Sequence, residues 1–308
     1  MTALRLGVDV GGTNTDGVVV DEAGTVLASM KVPTTPDPMD GIRAAMSAVI
    51  EQVDKASIVQ VMLGTTHPAN AIIQRKGLDT IGILRVAGPS SYAVRPGAAW
   101  PDELLQAILG PTAIVDGGFE YDGREIAPLE EDAIRRYAGE CAGSVSAIAV
   151  SSPFSPASYS HEDRAAEILA EELGDAVAVT VSHEIGSLGL LEREDAAALN
   201  ASLLSVSRAV VDGLAQAIAD NGLAVDSYLT QNDGTLMTSE QAVKYPVLTL
   251  ASGPTNSMRG ASALAGLADA LVIDVGGTST DVGILVDGFP RESMHAVEVG
   301  GVRTNFRM

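Results

Sequence analysis

The first 35 residues of the chain carry three short apolar runs separated by turn residues. Leu4–Val10 places an apolar side chain at every second position, which predicts a half-buried strand. Gly17–Val20 follows after the tight turn at Gly11-Gly12, and Val26–Val32 follows after a turn at residues 21–24. Strands joined by turns this short predict an antiparallel meander.

Helical spacing begins after this meander. Apolar residues three and four positions apart predict a helix over residues 40–53, and an apolar strand is predicted at Ile58–Leu63. That strand runs into Gly64-Thr65-Thr66, and a helix over residues 68–76 is predicted to end at Gly77, where a left-handed residue is favoured.

Strands and helices continue to alternate along the rest of the chain. We predict strands at 80–86, 147–151, 177–182, 228–236, 271–275 and 282–286, and helices at 132–141, 162–173, 188–221 and 254–267. The stretch 89–113 is predicted to be irregular, and Ser160 with Asp163 is predicted to form a capping box. This order favours a mixed α/β fold, with a first domain at 1–185 and a second at 186–308.

Composition narrows the class of protein. Hydrophobic residues make up 46% of the 308 residues, which is typical of a globular chain. The formal charge of −21 argues against binding of nucleic acid or of anionic membranes. Neither a membrane-spanning run nor a signal peptide is visible, and the single cysteine, Cys141, fits a reducing cytoplasm. We therefore expect a cytoplasmic protein that binds neither nucleic acid nor membrane.

One turn occurs twice. Asp9–Asp16 reads Asp-Val-Gly-Gly-Thr-Asn-Thr-Asp, and Asp274–Asp281 reads Asp-Val-Gly-Gly-Thr-Ser-Thr-Asp. Each copy lies between two apolar strands, which suggests a duplicated structural unit.

The residues of this turn are those that phosphate chemistry needs. Paired glycines let backbone N–H groups approach phosphate oxygens, and threonine hydroxyls add donors. A carboxylate at the end of a strand can hold Mg²⁺ through its waters. Glycines that merely satisfy hairpin geometry are the alternative, but the repetition of the flanking Thr and Asp favours phosphate binding. We expect the two turns to face each other across a cleft, with Asp9 and Asp274 near a common point.

The paired turns resemble the two phosphate loops of the superfamily that contains acetate kinase, sugar kinases, chaperone ATPases and actin. Within it the chain closely resembles the hydantoinase/oxoprolinase family, of the ATP-dependent ring-opening subunit type. Gly64–Gly77 is similar to the family's Gly-Thr-Thr-x-x-x-Asn-Ala-x-x-x-Arg-Lys-Gly, and Gln231–Met237 is similar to its Gln-Ser-Asn-Gly-Gly-Leu-Met. Ser252-Gly253-Pro254 resembles the start of its small-residue helix. The likeness runs from Leu4 to the end of the chain.

The chain departs from the family pattern in places that concern the substrate. Thr255-Asn256-Ser257 stands where the family usually has Ala-Gly-Gly, and Asn14 stands where it has Phe. His67 and Ala69 also differ. Family members continue past Met308 into a glycine-rich adenosine-binding segment, so we expect the 308 residues to bind ATP weakly or not at all.

The resemblance implies an actin-like (ribonuclease H-like) ATPase fold with duplicated mixed-sheet domains, the second incomplete here. It implies ATP- and Mg²⁺-dependent hydrolysis of a cyclic amide such as a hydantoin, 5-oxoproline or another lactam. Asp9 and Asp274 would be catalytic and would organise Mg²⁺. The expected nucleotide-binding residues are Gly11, Gly12, Thr13, Thr15, Asp16, Gly276, Gly277, Thr278, Thr280 and Asp281. Thr65, Thr66 and Asn70, at a strand-to-helix junction, are candidate substrate residues, with helix capping by Thr66 as the equally weighted alternative.

A partner subunit of the hydantoinase B type and a homo-oligomer are also expected from the resemblance. Two other functions stay open. A small-molecule kinase of the same fold would release a stable phosphorylated product, and a non-catalytic nucleotide-binding protein would bind ATP without turnover. The sequence does not name the cyclic amide.

Overall fold

The computed structural model describes residues 2–35, 38–275, 280–291 and 296–306. These residues form two compact units. The first unit comprises residues 2–70 and 206–291, and the second comprises 71–205 and 296–306. The boundary predicted near residue 185 lies inside the second unit, so the predicted domains 1–185 and 186–308 do not coincide with these units.

The described residues contain short β-strands along the whole chain. They are β1 (Leu4–Val10), β2 (Asn14–Val20), β3 (Val26–Pro33), β4 (Ile58–Thr65), β5 (Ile81–Gly88), β6 (Leu109–Asp116), β7 (Ala147–Ser151), β8 (Ala178–Val181), β9 (Asp226–Thr230), β10 (Leu236–Thr238), β11 (Ala270–Val275), β12 (Thr280–Val286), β13 (Phe289–Pro290), β14 (Val297–Val299) and β15 (Val302–Thr304).

The α-helices alternate with these strands. They are α1 (Pro38–Ile50), α2 (His67–Gln74), α3 (Asp102–Ile108), α4 (Glu131–Cys141), α5 (Ser160–Leu173), α6 (Leu190–Ser202), α7 (Leu204–Asp220), α8 (Ser239–Lys244) and α9 (Ser252–Ala265).

The first unit is built on a mixed sheet in the order β10-β9-β4-β1-β2-β3. The meander β1-β2-β3 is antiparallel, as predicted, while β4 pairs in parallel with both β1 and β9. Leu6, Val8 and Val10 of β1 are buried with Met46 of α1 and Leu214 of α7. Because side chains alternate along a strand, Gly7 and Asp9 lie on the opposite face of the sheet.

A second sheet of the first unit repeats this hairpin. β11, β12 and β13 form an antiparallel sheet, and α9 packs against all three strands. Arg259 of α9 lies over the ring of Phe289, 4.0 Å from its centroid. Leu271, Ile273 and Ile284 are exposed, so part of this sheet's surface is apolar and open to solvent within the described part of the chain.

The second unit contains a parallel sheet in the order β6-β5-β7-β8. Leu84, Val86 and Ile148 pack into a core with Tyr137 and Cys141 of α4, so Cys141 is a buried packing residue. α6 packs against β5, β7 and β8, and the hairpin β14–β15 packs on α6. This packing explains why α6 belongs to the second unit.

The prediction of an irregular stretch at 89–113 is wrong, because α3 and the start of β6 lie there. Gly110 and Pro111 suggest a turn, but β6 is an edge strand, where the missing N–H of a proline breaks no ladder hydrogen bond. α3 begins after Pro101 with Asp102 and Glu103 in its first turn, an acidic start typical of helices.

The single helix predicted at 188–221 is two helices, which break at Leu203. Asp79 accepts hydrogen bonds from the Ser205 amide at 2.9 Å and from the Ser205 hydroxyl at 2.7 Å, and so caps the new helix. The capping box predicted for Ser160 and Asp163 is also wrong. The residue before α5, Tyr159, has helical backbone angles and makes no side-chain cap.

Candidate phosphate and substrate site

The turn between β1 and β2 is held by backbone and threonine hydrogen bonds. The Gly11 amide donates to the Asn14 carbonyl at 3.0 Å. The Thr34 hydroxyl donates to the Gly11 carbonyl at 2.9 Å and lies 3.2 Å from the hydroxyl of Thr15, which is fully buried. Thr34 also donates its amide to the Thr13 carbonyl. Thr15 therefore supports the turn from beneath, whereas Gly12 and Thr13 are exposed.

Of the two glycines of this turn, Gly12 is not explained by the fold of the chain itself. Neither glycine has a positive φ, but a Cβ on Gly11 would stand 3.1 Å from the Asn14 carbonyl oxygen, so the local fold favours glycine there. A Cβ built on Gly12 would meet no described atom within 4 Å. The protein around Gly12 thus has room for a side chain that the sequence leaves out.

Asp9 and Asp16 lie opposite each other in the β1–β2 ladder. The Lys31 ammonium pairs with Asp16 at 2.7 Å. Asp9 reaches solvent through a cavity, but the protein around it still buries the carboxyl enough to raise its pKa. The charge of Asp16 raises the pKa of Asp9 further, and that of Lys31 lowers it. Among the described residues, none donates a hydrogen bond to the Asp9 carboxylate.

The cavity beside Asp9 has a volume of about 250 Å³ and lies within the first unit. Its walls include Val18, Met62, Thr230 and Asn256. A Cβ on Gly64 would stand 2.5 Å from Asp9 Oδ1 and 2.6 Å from Asn256 Nδ2. Because position 64 is a glycine, the Asp9 carboxylate and the Asn256 carboxamide can both lie close to β4 at this point.

Hydrogen bonds join the junction of β4 and α2 to the end of β1, next to the first turn. The Thr66 amide and hydroxyl both donate to the Val10 carbonyl, at 3.3 and 3.2 Å. Thr65 is buried and its hydroxyl accepts from the His67 amide at 3.1 Å, so the capping of α2 is made by Thr65. Asn70 donates to the Thr66 hydroxyl at 3.4 Å. These three candidate substrate residues thus all take part in local structure next to the turn.

The second copy of the turn has the same strand register as the first. Asp274 pairs with Asp281 and Val275 with Thr280, as Asp9 pairs with Asp16 and Val10 with Thr15. Asp274 is half-buried, and Thr280 and Asp281 are exposed. The phosphate contacts predicted in this loop are Gly276, Gly277 and Thr278. They lie outside the described residues, which stop at Val275 and resume at Thr280.

The polar residues that complete the cavity were not among the predicted site residues. Asn256 Nδ2 donates to Thr230 Oγ1 at 3.1 Å, which joins α9 to the end of β9. The one signal for Asn256 was its departure from a small residue in the family pattern. Gln231–Met237, by contrast, comprises the turn between β9 and β10 and the start of β10, with Asp233 Oδ1 accepting from the Thr235 amide at 2.8 Å.

Within the described ranges, no three His, Cys, Asp or Glu side chains are grouped so as to hold a metal ion by themselves. Mg²⁺ needs only one or two carboxylates when phosphates and waters complete its shell, and the unpartnered Asp9 carboxylate suits that role. No helix in the described residues has the length and apolar character needed to cross a bilayer.

The architecture matches solved structures over essentially the whole chain. The ATP-dependent caprolactamase from Pseudomonas jessenii superposes with a TM-score of 0.78 at 24% identity, covering 99% of this chain and 47% of that one. The nucleotide-free structure of acetone carboxylase superposes with a TM-score of 0.75 at 22% identity, covering 100% and 47%. The chain has the actin-like ATPase fold predicted from its paired turns.

Family models assign it more closely. The model of the hydantoinase/oxoprolinase N-terminal region matches residues 5–173, and the hydantoinase/oxoprolinase model matches residues 193–308. The chain belongs to the hydantoinase/oxoprolinase family, which confirms the resemblance seen in its motifs.

Curated relatives agree with this assignment. The caprolactamase subunit alpha of Pseudomonas jessenii is 28% identical over 302 residues, covering 90% of this chain and 43% of the relative. The acetone carboxylase beta subunit of Xanthobacter autotrophicus is 25% identical over 313 residues, covering 92% and 43%. The chain therefore spans less than half the length of these relatives.

Proposed function

We propose that this chain serves an ATP-dependent enzyme that opens a cyclic amide, and that it supplies both phosphate-binding hairpins and part of the substrate site. The observation that carries the proposal is the shared register of the hairpins, which puts Asp9 opposite Asp16 and Asp274 opposite Asp281. Two hairpins with nearly the same turn sequence and the same register of flanking strands fit a triphosphate that is held from two sides.

The glycines of the first turn support phosphate binding. Since Gly12 is required neither by its φ nor by packing, the absence of a Cβ suits the close approach of a ligand from solvent. The backbone N–H groups of Gly12 and Thr13 would then donate to phosphate oxygens, while Gly11, whose N–H donates to the Asn14 carbonyl, would shape the loop. Thr15, Asp16, Thr280 and Asp281 would hold the two loops, and Gly276, Gly277 and Thr278 would act as their counterparts.

Asp9 and Asp274 are the residues that we propose to hold Mg²⁺. The bound ion would supply neutralisation of charge on the phosphates. The carboxylates would orient the ion's water shell and the attacking group, and Thr66 would keep the end of β1 in place through the Val10 carbonyl.

The chemistry follows from the weakness of an amide carbonyl as an electrophile. Transfer of the γ-phosphoryl group of ATP to the carbonyl oxygen would leave ADP and make that oxygen part of a good leaving group. One water then adds to the carbon, and the ring C–N bond breaks as the nitrogen takes up the proton that this water loses, which leaves an acyl phosphate. A second water adds to the acyl carbon, and phosphate departs with the former carbonyl oxygen to leave the ring-opened carboxylate. The protein contributes positioning and charge neutralisation to these steps.

A second reaction on the same plan has a specific observation in its favour. A relative and a superposed structure are named for acetone carboxylation, and the structure's description calls it ATP-dependent. Acetone, like a lactam, presents a carbonyl oxygen. Carboxylation of a ketone is therefore the alternative. A hydantoinase B-type partner subunit is proposed for either reaction, since caprolactamase and acetone carboxylase are both named by subunit.

The test measures phosphate release from Mg·ATP together with mass spectrometry of the products. Hydantoin, 5-oxoproline and ε-caprolactam form one panel, and acetone with bicarbonate forms the other. We expect a ring-opened product with one of the cyclic amides and loss of turnover in Asp9→Asn. Asp226→Asn, an exposed aspartate on β9 of the same sheet, should retain turnover. A stable phosphorylated product would indicate a kinase, and binding without turnover would indicate a non-catalytic protein.

A further inference from the structure

The cavity beside Asp9 contains an acceptor and a donor held next to each other. Asp9 Oδ1 and Asn256 Nδ2 both lie within 2.6 Å of the point where a Gly64 Cβ would stand. They are therefore neighbours over one glycine, on the face of the sheet opposite the helices α1 and α7. Any larger residue at position 64 would occupy the place where they meet.

Hydrogen bonding to Thr230 sets the orientation of the Asn256 carboxamide. The Thr230 hydroxyl donates toward the Leu63 carbonyl at 3.5 Å, so its oxygen is left to accept a hydrogen bond. The partner that donates to it is Asn256 Nδ2, at 3.1 Å. One N–H of the carboxamide is thereby used, and the second N–H stays available beside Asp9.

We infer that Asp9 and Asn256 form a two-point recognition site for a cyclic secondary amide, an inference that rests on the proposed function. A ring holds its amide cis, so the N–H and the C=O leave the ring on the same side. Asp9 would accept from the amide N–H while Asn256 donates to the carbonyl oxygen. An open-chain amide is trans and points these groups in opposite directions, so it meets only one of the two partners.

The rest of the cavity suits the remainder of such a ring. Val18 and Met62 present apolar side chains, against which ring methylenes pack. A carboxylate has two oxygens, so contact of Oδ1 with the amide leaves Oδ2 for the metal role proposed above. Asn256 is thus assigned as a specificity-determining residue, at a position where the family usually carries glycine.

Titration calorimetry without nucleotide tests this assignment through binding rather than turnover. The probes are ε-caprolactam, its N-methyl derivative and the open-chain N-methylacetamide. We expect the lactam to bind at least ten-fold more tightly than either of the others. Asn256→Asp, which keeps the shape and replaces the donor by an acceptor, should weaken lactam binding at least ten-fold.

Ser257→Asp is the matched control, because it adds the same charge at the next, exposed residue of α9. It should bind the lactam as the unmodified chain does. Asn256→Gly, with the residue usual in the family, should lose the preference for the lactam over its N-methyl derivative. Thermal melting of each variant verifies that it is folded.

Equal affinity for the lactam and its N-methyl derivative, or unchanged lactam binding by Asn256→Asp, would overturn the inference. So would the absence of any lactam binding. The proposed function fails separately, when no cyclic amide is opened in the turnover assay.

Discussion

The guanidinium of Arg85 donates to both oxygens of Glu194, at 2.7 and 2.6 Å, in the interior of the second unit. Both side chains are about 1% exposed. Ser151 donates to the same carboxylate at 2.8 Å, and Arg85 also donates to the Val94 carbonyl. This cluster joins β5, β7 and α6, so a buried ion pair fixes the helix against the ends of two parallel strands.

Removal of one partner of this buried ion pair should therefore destabilise the fold. We expect Glu194→Ala to lower the free energy of unfolding by about 3–5 kcal/mol, because the Arg85 charge is left buried without its counter-ion. The measurement is urea denaturation. Arg124→Ala, which breaks the exposed pair with Asp122, should cost less than about 1 kcal/mol. Similar losses in the two variants would contradict the role assigned to burial.

Gly12→Ala separates phosphate binding from folding. The added methyl group meets no described atom within 4 Å and φ is not positive, so stability should change by less than about 0.5 kcal/mol. Affinity for Mg·ATP should fall at least about ten-fold, equivalent to 1.4 kcal/mol, because the methyl group stands where phosphate would approach. Calorimetry measures both quantities. Gly139→Ala on α4 is the control, with equally open space around it. An unchanged affinity of Gly12→Ala for Mg·ATP would indicate that this turn has only a structural role.

Gly64→Ala should leave a folded protein with an impaired site. The new Cβ would come within 2.6 Å of Asp9 Oδ1 and Asn256 Nδ2, and both are ends of side chains that can turn away. We expect a near-normal melting temperature together with loss of turnover and of lactam binding. Gly260→Ala on α9, where a Cβ meets nothing within 4 Å, provides the comparison. Full activity in Gly64→Ala would show that the present positions of Asp9 and Asn256 over Gly64 are not needed.

Asp274→Asn tests the second hairpin. Loss of one carboxylate charge at constant volume should weaken the organisation of Mg²⁺, and kcat for ATP turnover should fall at least about a hundred-fold. Steady-state kinetics distinguish this from a change in KM alone. The exposed Asp226→Asn variant is again the reference. Normal kcat in a folded Asp274→Asn protein would remove this residue from the mechanism.

The stability of the second unit depends on pH through Asp195. Burial raises the pKa of Asp195 to about 7; the charges of Glu194 and Glu192 add to the rise, and the Trp100 hydrogen bond and Arg85 oppose it. The folded state therefore keeps a proton that the unfolded state loses from about pH 4 upward. Stability from this group is greatest at low pH and declines until pH passes about 7.

Asp195→Asn should remove that decline, because the amide is neutral and its oxygen can still accept from Trp100. The variant's gain in free energy of unfolding over the unmodified protein should be about 2 kcal/mol larger at pH 8 than at pH 5. Urea denaturation at the two pH values measures it. A difference between the proteins that does not change with pH would show that Asp195 is ionised in the fold.

Local sequence patterns predicted the parts of this fold that depend on neighbours in the chain. The alternation in Leu4–Val10 and the repeated turn predicted the two hairpins, though not their registers. The break at Leu203 was not visible, because the cap on α7 comes from Asp79, far away in sequence.

The residues of the candidate site also separate into those that a local motif predicts and those that only tertiary packing brings in. Asp9 was predicted because its motif is local. Thr230 and Asn256 were missed as site residues, because they reach the cavity only once β9 pairs with β4 and α9 packs against the sheet. Nothing in the spacing of these residues along the chain places them beside Asp9.

The first unit is made of two segments with most of the second unit between them, which sets an order of events on the ribosome. β4 stays without its neighbour β9 until the residues beyond position 225 have been synthesised, and Leu63 and Thr230 are 167 residues apart. At roughly 5–20 residues per second, that edge is open for on the order of ten seconds or more. The strands β5–β8 emerge consecutively and can pair during this interval. The nascent chain thus presents a folded sheet beside an unpaired strand edge, the kind of surface that chaperones bind and that aggregation exploits.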